Sequence, residues 1–336
     1  MGATPRRFTG SGNGSTVSSH KLSQCGGKNA RTFGMNVLIA TDGSAAATTA
    51  LRTANRLLSL VDRHLDVLCV APAYRTYEKG GRREDYERRI LRETAQVLEQ
   101  ARDSLIGNGV VNLLTEIGSP SAVLVERAED YDLTVVGPQG QGVTSELGLG
   151  PVASRVVEHA MGPVLVGRAL RSEDTIRMLV AVDGSAASLH AVETLGQLFD
   201  LRSVELCLMH VAETPWVQLG LEEDWTTYSE EDKEKSEAGK MEQELVREGE
   251  VVIEQARELL RTHRLSISTV TEEGDPASKI LSEAERGQYD LIALGGTGAR
   301  DMKHGMLGSV SAKIAWDAPC SVLIVREPDG GGEEGR

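Results

Sequence analysis

The sequence predicts an α/β protein of two tandem doubly wound domains, each a mostly parallel five-stranded sheet flanked by helices. Three observations carry that prediction. Blocks of residues recur in the same order at a period of about 150, which marks a duplicated domain and not a solenoid. Within each copy, short β-branched runs bounded by Gly, Asp or Pro alternate with longer stretches of helical periodicity. Aromatic residues are only 4% of the chain, so cores must be built from Val, Leu, Ile and Ala, the usual filling of a buried parallel sheet.

Taken along the chain, residues 1–33 carry Arg6, Arg7, Lys21, Lys28 and Arg31, many Gly and Ser, and no acid. They read as a disordered basic tail. A transit-like peptide, or an over-extended start before Met35, are the other readings. The first copy is expected over 34–168. Its opening strand, Val37 to Ala40, runs into Thr41-Asp42-Gly43-Ser44, and a second strand spans Val67 to Ala71. A helix follows with Leu91, Ala95, Leu98, Arg102 and Leu105 at helical spacing. Gly118-Ser119-Pro120 opens the next helix, Tyr131-Asp132-Leu133 leads through a fourth strand to Gly137, and Val164 to Val166 closes the copy. A short linker is expected over 169–176.

The second copy, expected over 177–327, repeats these blocks. Val182-Asp183-Gly184-Ser185 ends its first strand and His210-Val211 its second. Leu245, Val252, Ala256, Leu259 and His263 mark the helix, Gly274-Asp275-Pro276 the next start, and Tyr289-Asp290-Leu291 the strand to Gly295. Val322 to Val325 close the copy, and 328–336 read as a disordered C-terminal tail. The segment after the second strand differs most. It is basic-leaning in the first copy (Arg75 to Arg92), whereas residues 213–250 hold thirteen acids against four bases.

A net charge of -14 argues against a non-specific nucleic-acid binder, which needs cations to displace counterions. No apolar run approaches the ~18 residues of a membrane span, so neither nucleic acid nor membrane is an expected partner. Cys25, Cys69, Cys207 and Cys320 are widely spaced without a Cys-x-x-Cys pair. The last three read as small buried hydrophobes in a reducing, cytoplasmic compartment. There is no Gly-x-x-x-x-Gly-Lys-Ser/Thr, and Asp301 stands where a dinucleotide fingerprint needs its third glycine. No nucleophile, base and orienting acid are assembled, so at most slow ATP hydrolysis is expected.

In open α/β sheets, ligands bind beyond the carboxyl ends of strands where strand order reverses. Three segments of each copy should end there. These are the Asp-Gly-Ser turn, the end of the second strand, and the glycine-rich stretch after the fourth. In the second copy that stretch reads Leu294-Gly295-Gly296-Thr297-Gly298, nine residues, then Gly308-Ser309-Val310. Glycines let backbone N–H groups approach phosphate oxygens, and the helix opening at Gly308-Ser309 presents unpaired N–H groups and its positive dipole end. Ser309 suits either a helix cap or a phosphate donor. Lys303 and His304 lie within the nine-residue loop, and His210 reads as a satisfied core histidine.

The Asp183-Gly184-Ser185 turn, the strand ending at Val211, the Gly-x-x-Gly-x9-Gly-Ser pattern and the closing Ala318-Pro319-Cys320-Ser321-Val322 resemble the universal stress protein family. The resemblance covers Met35 to Arg326 as a tandem pair, and implies the adenine nucleotide alpha-hydrolase-like fold. It implies ATP, with or without Mg²⁺, as ligand. Asp183 and Val211 would hold adenine, with Leu294, Gly295, Gly298, Gly308, Ser309 and Val310 at ribose and phosphate. The first copy keeps Asp42, Val70, Gly137, Gly140 and Gly150, but Pro138 follows the first glycine and Pro151 replaces the serine. Proline lacks an N–H, so this copy should lose phosphate donors while its fold survives. The expectation is a nucleotide-responsive stress regulator with ATP mainly in the second copy. An interaction scaffold with relic loops is the alternative, and a slow ATPase a weaker one. The closing strands should pair the copies within the chain, and a homodimer of such pairs is a further expectation.

Overall fold

The computed structural model describes residues 34–58, 63–73, 83–105, 110–141, 148–172, 175–213, 237–263, 265–298 and 306–326. Both expected tails lie outside these residues. The first copy comprises β1 (Met35–Ala40), α1 (Ala45–Leu57), β2 (Arg63–Pro72), α2 (Arg83–Asp103), β3 (Val110–Gly118), α3 (Pro120–Ala128), β4 (Leu133–Val136), α4 (Pro151–His159) and β5 (Val164–Val166). The second comprises β6 (Ile176–Ala181), α5 (Ala186–Leu198), β7 (Val204–Ala212), α6 (Glu237–Leu259), β8 (Ile267–Glu273), α7 (Pro276–Arg286), β9 (Leu291–Gly295), α8 (Ser309–Asp317) and β10 (Ser321–Val325).

The two expected sheets are halves of one. Ten strands run in the order β3-β2-β1-β4-β5-β10-β9-β6-β7-β8. Every neighbouring pair is parallel except the central β5–β10 pair, where Val166, Leu165 and Val164 face Val322, Leu323 and Ile324. The closing strands thus join the copies and lie inside the sheet, leaving β3 and β8 as its outer edges.

Alternate strand residues point to opposite faces, and the chain uses both. Val37, Ile39, Leu165 and Leu323 lie in one core cluster with residues of α1, α2, α5 and α6. Leu38, Val164, Val166, Val322 and Ile324 lie in the other, beneath α3, α4, α7 and α8. Each cluster passes through the β5–β10 junction, so each face has one core shared by both copies. Cys69, Cys207 and Cys320 are buried free thiols. Burial pushes the Cys69 thiol up to about 11, with the Asp42 carboxylate adding to it, and the Cys320 thiol up to about 12.

The helical stripe on α2 differs from the sequence expectation. Leu91 is exposed, as are Ala95 and Arg102, whereas Thr94, Leu98 and Ala101 are buried. The inward face is rotated by about one residue, because Thr94 satisfies its hydroxyl on the Ile90 carbonyl and can be buried. The α6 stripe holds through Leu245, Val252, Ala256 and Leu259, and His263 packs beside Gly196.

The recurring Tyr-Asp-Leu has a structural purpose. Asp132 accepts the Asn36 N–H at 2.9 Å, fixing the start of β1 against β4. Asp290, buried, accepts the amides of Arg171 at 2.7 Å and Arg177 at 3.0 Å, fixing the connection between the copies. Gly137 and Gly295 are required by packing. A Cβ on Gly295 would fall 2.7 Å from the Ala187 carbonyl carbon, and one on Gly137 would fall 2.9 Å from the Ala47 nitrogen. Each helix start is therefore seated directly on the end of the neighbouring strand.

Two arginines cross the junction reciprocally. Arg168, just past β5, donates to the Ala315 carbonyl near the C-terminal end of α8 and to the Cys320 carbonyl in the turn before β10. Arg326, just past β10 and buried, donates to the Val157 and Glu158 carbonyls at the C-terminal end of α4. The last carbonyls of a helix lack internal partners and carry the negative dipole end, so a cation there is favourable. Trp316 of α8 adds an apolar contact across the junction, its ring 3.1 Å from the position a Cβ would take on Gly148.

Arg326→Ala should lower stability by about 2–3 kcal/mol, two charge-assisted bonds being lost. A urea midpoint equal to the parent chain's would show the cap to be idle. Gly295→Ala should cost about 1–3 kcal/mol, since helix and strand must separate, and Gly137→Ala should behave alike in the same assay.

Candidate functional site

The order of strands reverses beside β1 and again beside β6, and a cavity opens at each reversal beyond the carboxyl ends of the strands. The second-copy cavity has a volume of about 490 Å³, and all eight residues singled out there border it: Asp183, Val211, Leu294, Gly295, Gly298, Gly308, Ser309 and Val310. The first-copy cavity measures about 440 Å³ and is bordered by Asp42, Val70, Gly137, Gly140 and Gly150. The topology therefore brings each set together.

The Asp-Gly-Ser turn has the same form in both copies. Gly43 and Gly184 adopt φ of +79° and +80°, a region that favours glycine. Ser44 and Ser185 cap α1 and α5 by accepting from Ala47 and Ser188 at 3.1 Å. The aspartate turns one oxygen inward, Asp42 Oδ1 accepting the Ser44 amide at 2.9 Å and Asp183 Oδ1 the Ser185 amide at 3.0 Å. The other oxygen faces the glycine loop, where a Cβ on Gly298 would stand 3.2 Å from Asp183 Oδ2, and one on Gly140 2.7 Å from Asp42 Oδ2.

The individual glycines do not all bare an amide to the cavity. Gly308 donates its N–H to the Gly296 carbonyl at 2.7 Å, and Gly296 donates its own to the Val325 carbonyl at 2.7 Å. Gly295 serves packing. The donors that open on the cavity belong instead to the first turn of α8. Gly308 is the N-cap, and the first backbone bond into it runs from Ala312 to the Gly308 carbonyl. The amides of Ser309, Val310 and Ser311 precede that bond, and all three residues line the cavity. Ser309 is thus the first helical residue and not the cap. Ser311 donates its hydroxyl to the Gly295 carbonyl at 2.7 Å, tying helix to strand.

The same geometry revises the account of the first copy. Pro138 stands where Gly296 does, and the amide it lacks would have faced the sheet and not the cavity. The loss at the helix is real, since Pro151 is its first residue and carries neither N–H nor hydroxyl. Gly150 donates to the Pro138 carbonyl at 2.7 Å, as Gly308 does to Gly296. One donor and one hydroxyl distinguish the copies, not two donors and a hydroxyl.

Several lining residues escaped the sequence reading. Glu213, at the end of the β7 segment, and Leu245, Glu248 and Val252, on α6, border the second cavity. Leu245 and Val252 belong to the helical stripe of α6, whereas Glu248 lies off it and Glu213 follows β7. His210 hydrogen-bonds the Val182 carbonyl through Nδ1 at 2.9 Å, and its ring lies against Gly249. It is a satisfied, buried histidine that also forms cavity wall. Among the described residues the lining carries Asp183, Glu213 and Glu248 and no lysine or arginine. Lys303 and His304 lie outside the described residues, which contain no group of three metal-ligating side chains.

The sequence profile of the universal stress protein family matches this chain twice, over residues 35–168 and 176–326. A universal stress protein of Mycolicibacterium smegmatis (strain ATCC 700084 / mc(2)155) is 28% identical over 304 residues, spanning 86% of this chain and 96% of that one. One of Mycobacterium tuberculosis (strain ATCC 25618 / H37Rv) is 27% identical over 317 residues, spanning 87% and 97%. The crystal structure of a universal stress protein from Archaeoglobus fulgidus DSM 4304 superposes with a TM-score of 0.58 at 18% identity, covering 87% of this chain and 98% of that one, and shares the fold. With one match on each half of a continuous sheet, the chain belongs to the universal stress protein family.

Proposed function

We propose that the second copy binds ATP and that the protein acts as a nucleotide-responsive regulator. The observation that carries this reading is the placement of the Ser309, Val310 and Ser311 amides at one end of a cavity whose other side is the Asp183 carboxylate. A helix N-terminus favours phosphate through its unpaired N–H groups and dipole. A carboxylate is an acceptor, suited to the exocyclic amine of a purine. Val211, Leu294 and Val310 supply apolar wall between the two.

The acidic lining sets a condition on the ligand. A phosphate-bearing ligand in a cavity that also holds Glu213 and Glu248 needs countercharge, and one that carries Mg²⁺ on its own phosphate oxygens supplies it. Mg²⁺ is commonly held by substrate phosphates, water and one or two carboxylates, which fits a lining without a three-ligand cluster. The Ser309 hydroxyl, the Asp183 carboxylate and the α8 amides then position the nucleotide. In this reading occupancy, and not turnover, is the signal read by partners.

Mass spectrometry of ligand released from freshly purified, denatured protein should find an adenine nucleotide. Mg-ATP at one hundred times its Kd should stabilise the fold by about 2.7 kcal/mol. Ser309→Ala should weaken binding about tenfold by calorimetry, and Gly298→Val should abolish it by filling the space before Asp183. An unchanged melting temperature at millimolar Mg-ATP, with no nucleotide released, would leave the interaction-scaffold reading in its place.

A further inference from the structure

The first-copy cavity is nearly as large as the second, at about 440 against 490 Å³, yet the groups at its two ends call for a different ligand. At the helix end, Pro151 removes the first amide and the hydroxyl, and the Gly150 amide is already given to Pro138. Ala153 takes the place of Ser311. Two helix amides, those of Val152 and Ala153, are left for an anion. The charged side chains of the lining are Asp42 and Glu93, with no lysine or arginine among the described residues. The second cavity is equally without lysine or arginine among the described residues, so what sets the first apart at this end is one helix amide and one hydroxyl fewer to hold a phosphate.

The opposite end remains equipped. Asp42 Oδ2 accepts the Gln141 backbone amide at 2.8 Å, and the Gln141 carboxamide donates to the Asp42 main-chain carbonyl at 2.5 Å. The Asp42 carboxylate and the main-chain carbonyl beside it thus already hold two N–H donors of Gln141, where a base would place its own amine. The second copy has Ala299 at this position and no side chain to do the same. Gln141 is exposed, so its carboxamide can leave for water at small cost. Val70, Ile90, Val97 and Leu124 give the wall an apolar stretch that suits the faces of a flat heterocycle.

We infer that the first copy is a site for an uncharged purine base or nucleoside, with the Gln141 carboxamide as a displaceable stand-in for the ligand's amine. The inference rests on the reading above only in placing the base at the strand-end aspartate.

Calorimetry on the full chain tests it, with adenosine, AMP and ATP as probes and Gly298→Val closing the second cavity. Adenosine should bind once per chain, and AMP and ATP about tenfold or more weakly. Gln141→Ala should tighten adenosine three- to tenfold, on the order of one hydrogen bond regained. Pro151→Ser should raise the affinity for AMP relative to adenosine about tenfold by restoring the amide and hydroxyl. If Gly298→Val does not fold, the unsubstituted chain should take two adenosines against one ATP. ATP binding the first copy as tightly as adenosine, or no adenosine bound at millimolar concentration with Gln141→Ala, would overturn the proposal. The second-copy reading fails separately, through absent ATP binding in a chain carrying Gly140→Val, which closes the first cavity alone.

Discussion

Three residue pairs join the two halves of the sheet. Where β5 meets β10, Leu165 lies opposite Leu323 between Val166–Val322 and Val164–Ile324, the one antiparallel contact in an otherwise parallel sheet. A parallel strand cannot follow its neighbour without a crossover, whereas two closing strands from separate copies can meet head to tail at once. That meeting satisfies two edges that would otherwise invite another chain. It also merges the apolar layers, so that the cluster on each face holds residues of both copies.

From that junction the rest is positioned. The sheet sets the height at which each strand ends, and the helices α5 and α8 start against those ends because Gly295 admits backbone contact on one side and Ser311 bonds its carbonyl on the other. The cavity is what lies between two helix starts held at fixed height over a strand reversal. Its selectivity is then a matter of a few groups: which amides in the first helical turn are unspent, which carboxylate oxygen faces inward, and whether a side chain lies across it. The copies share a frame and differ in these groups.

Much of this was legible in the sequence, and what was not has a physical reason. Duplication, strand sequence and the pairing of closing strands follow from repeated blocks and apolar runs, which report burial. The members of each cavity follow from their places at strand ends. Roles within the cavity do not, because a glycine looks the same in sequence whether it bares an amide, admits a neighbouring helix or takes a positive φ. Gly308 spends its amide on Gly296, Gly295 admits the start of α5, and Gly184 takes a positive φ. Partners distant along the chain are equally hidden. Nothing near Arg326 shows that it ends 169 residues away on Val157, although the recurrence of an arginine after both closing strands was there to be noticed. The α2 stripe went astray for a smaller reason, a threonine that buries itself by bonding its own helix.

The crossed arginines carry a consequence for how such a chain can change over time. Each helix that fronts a cavity has its far end finished by a side chain encoded in the opposite half, so the two halves cannot be parted without leaving a ragged helix and a bare strand on both. Residues lining either cavity can change without touching these caps, whereas a change at Arg168 or Arg326 is felt in the opposite half.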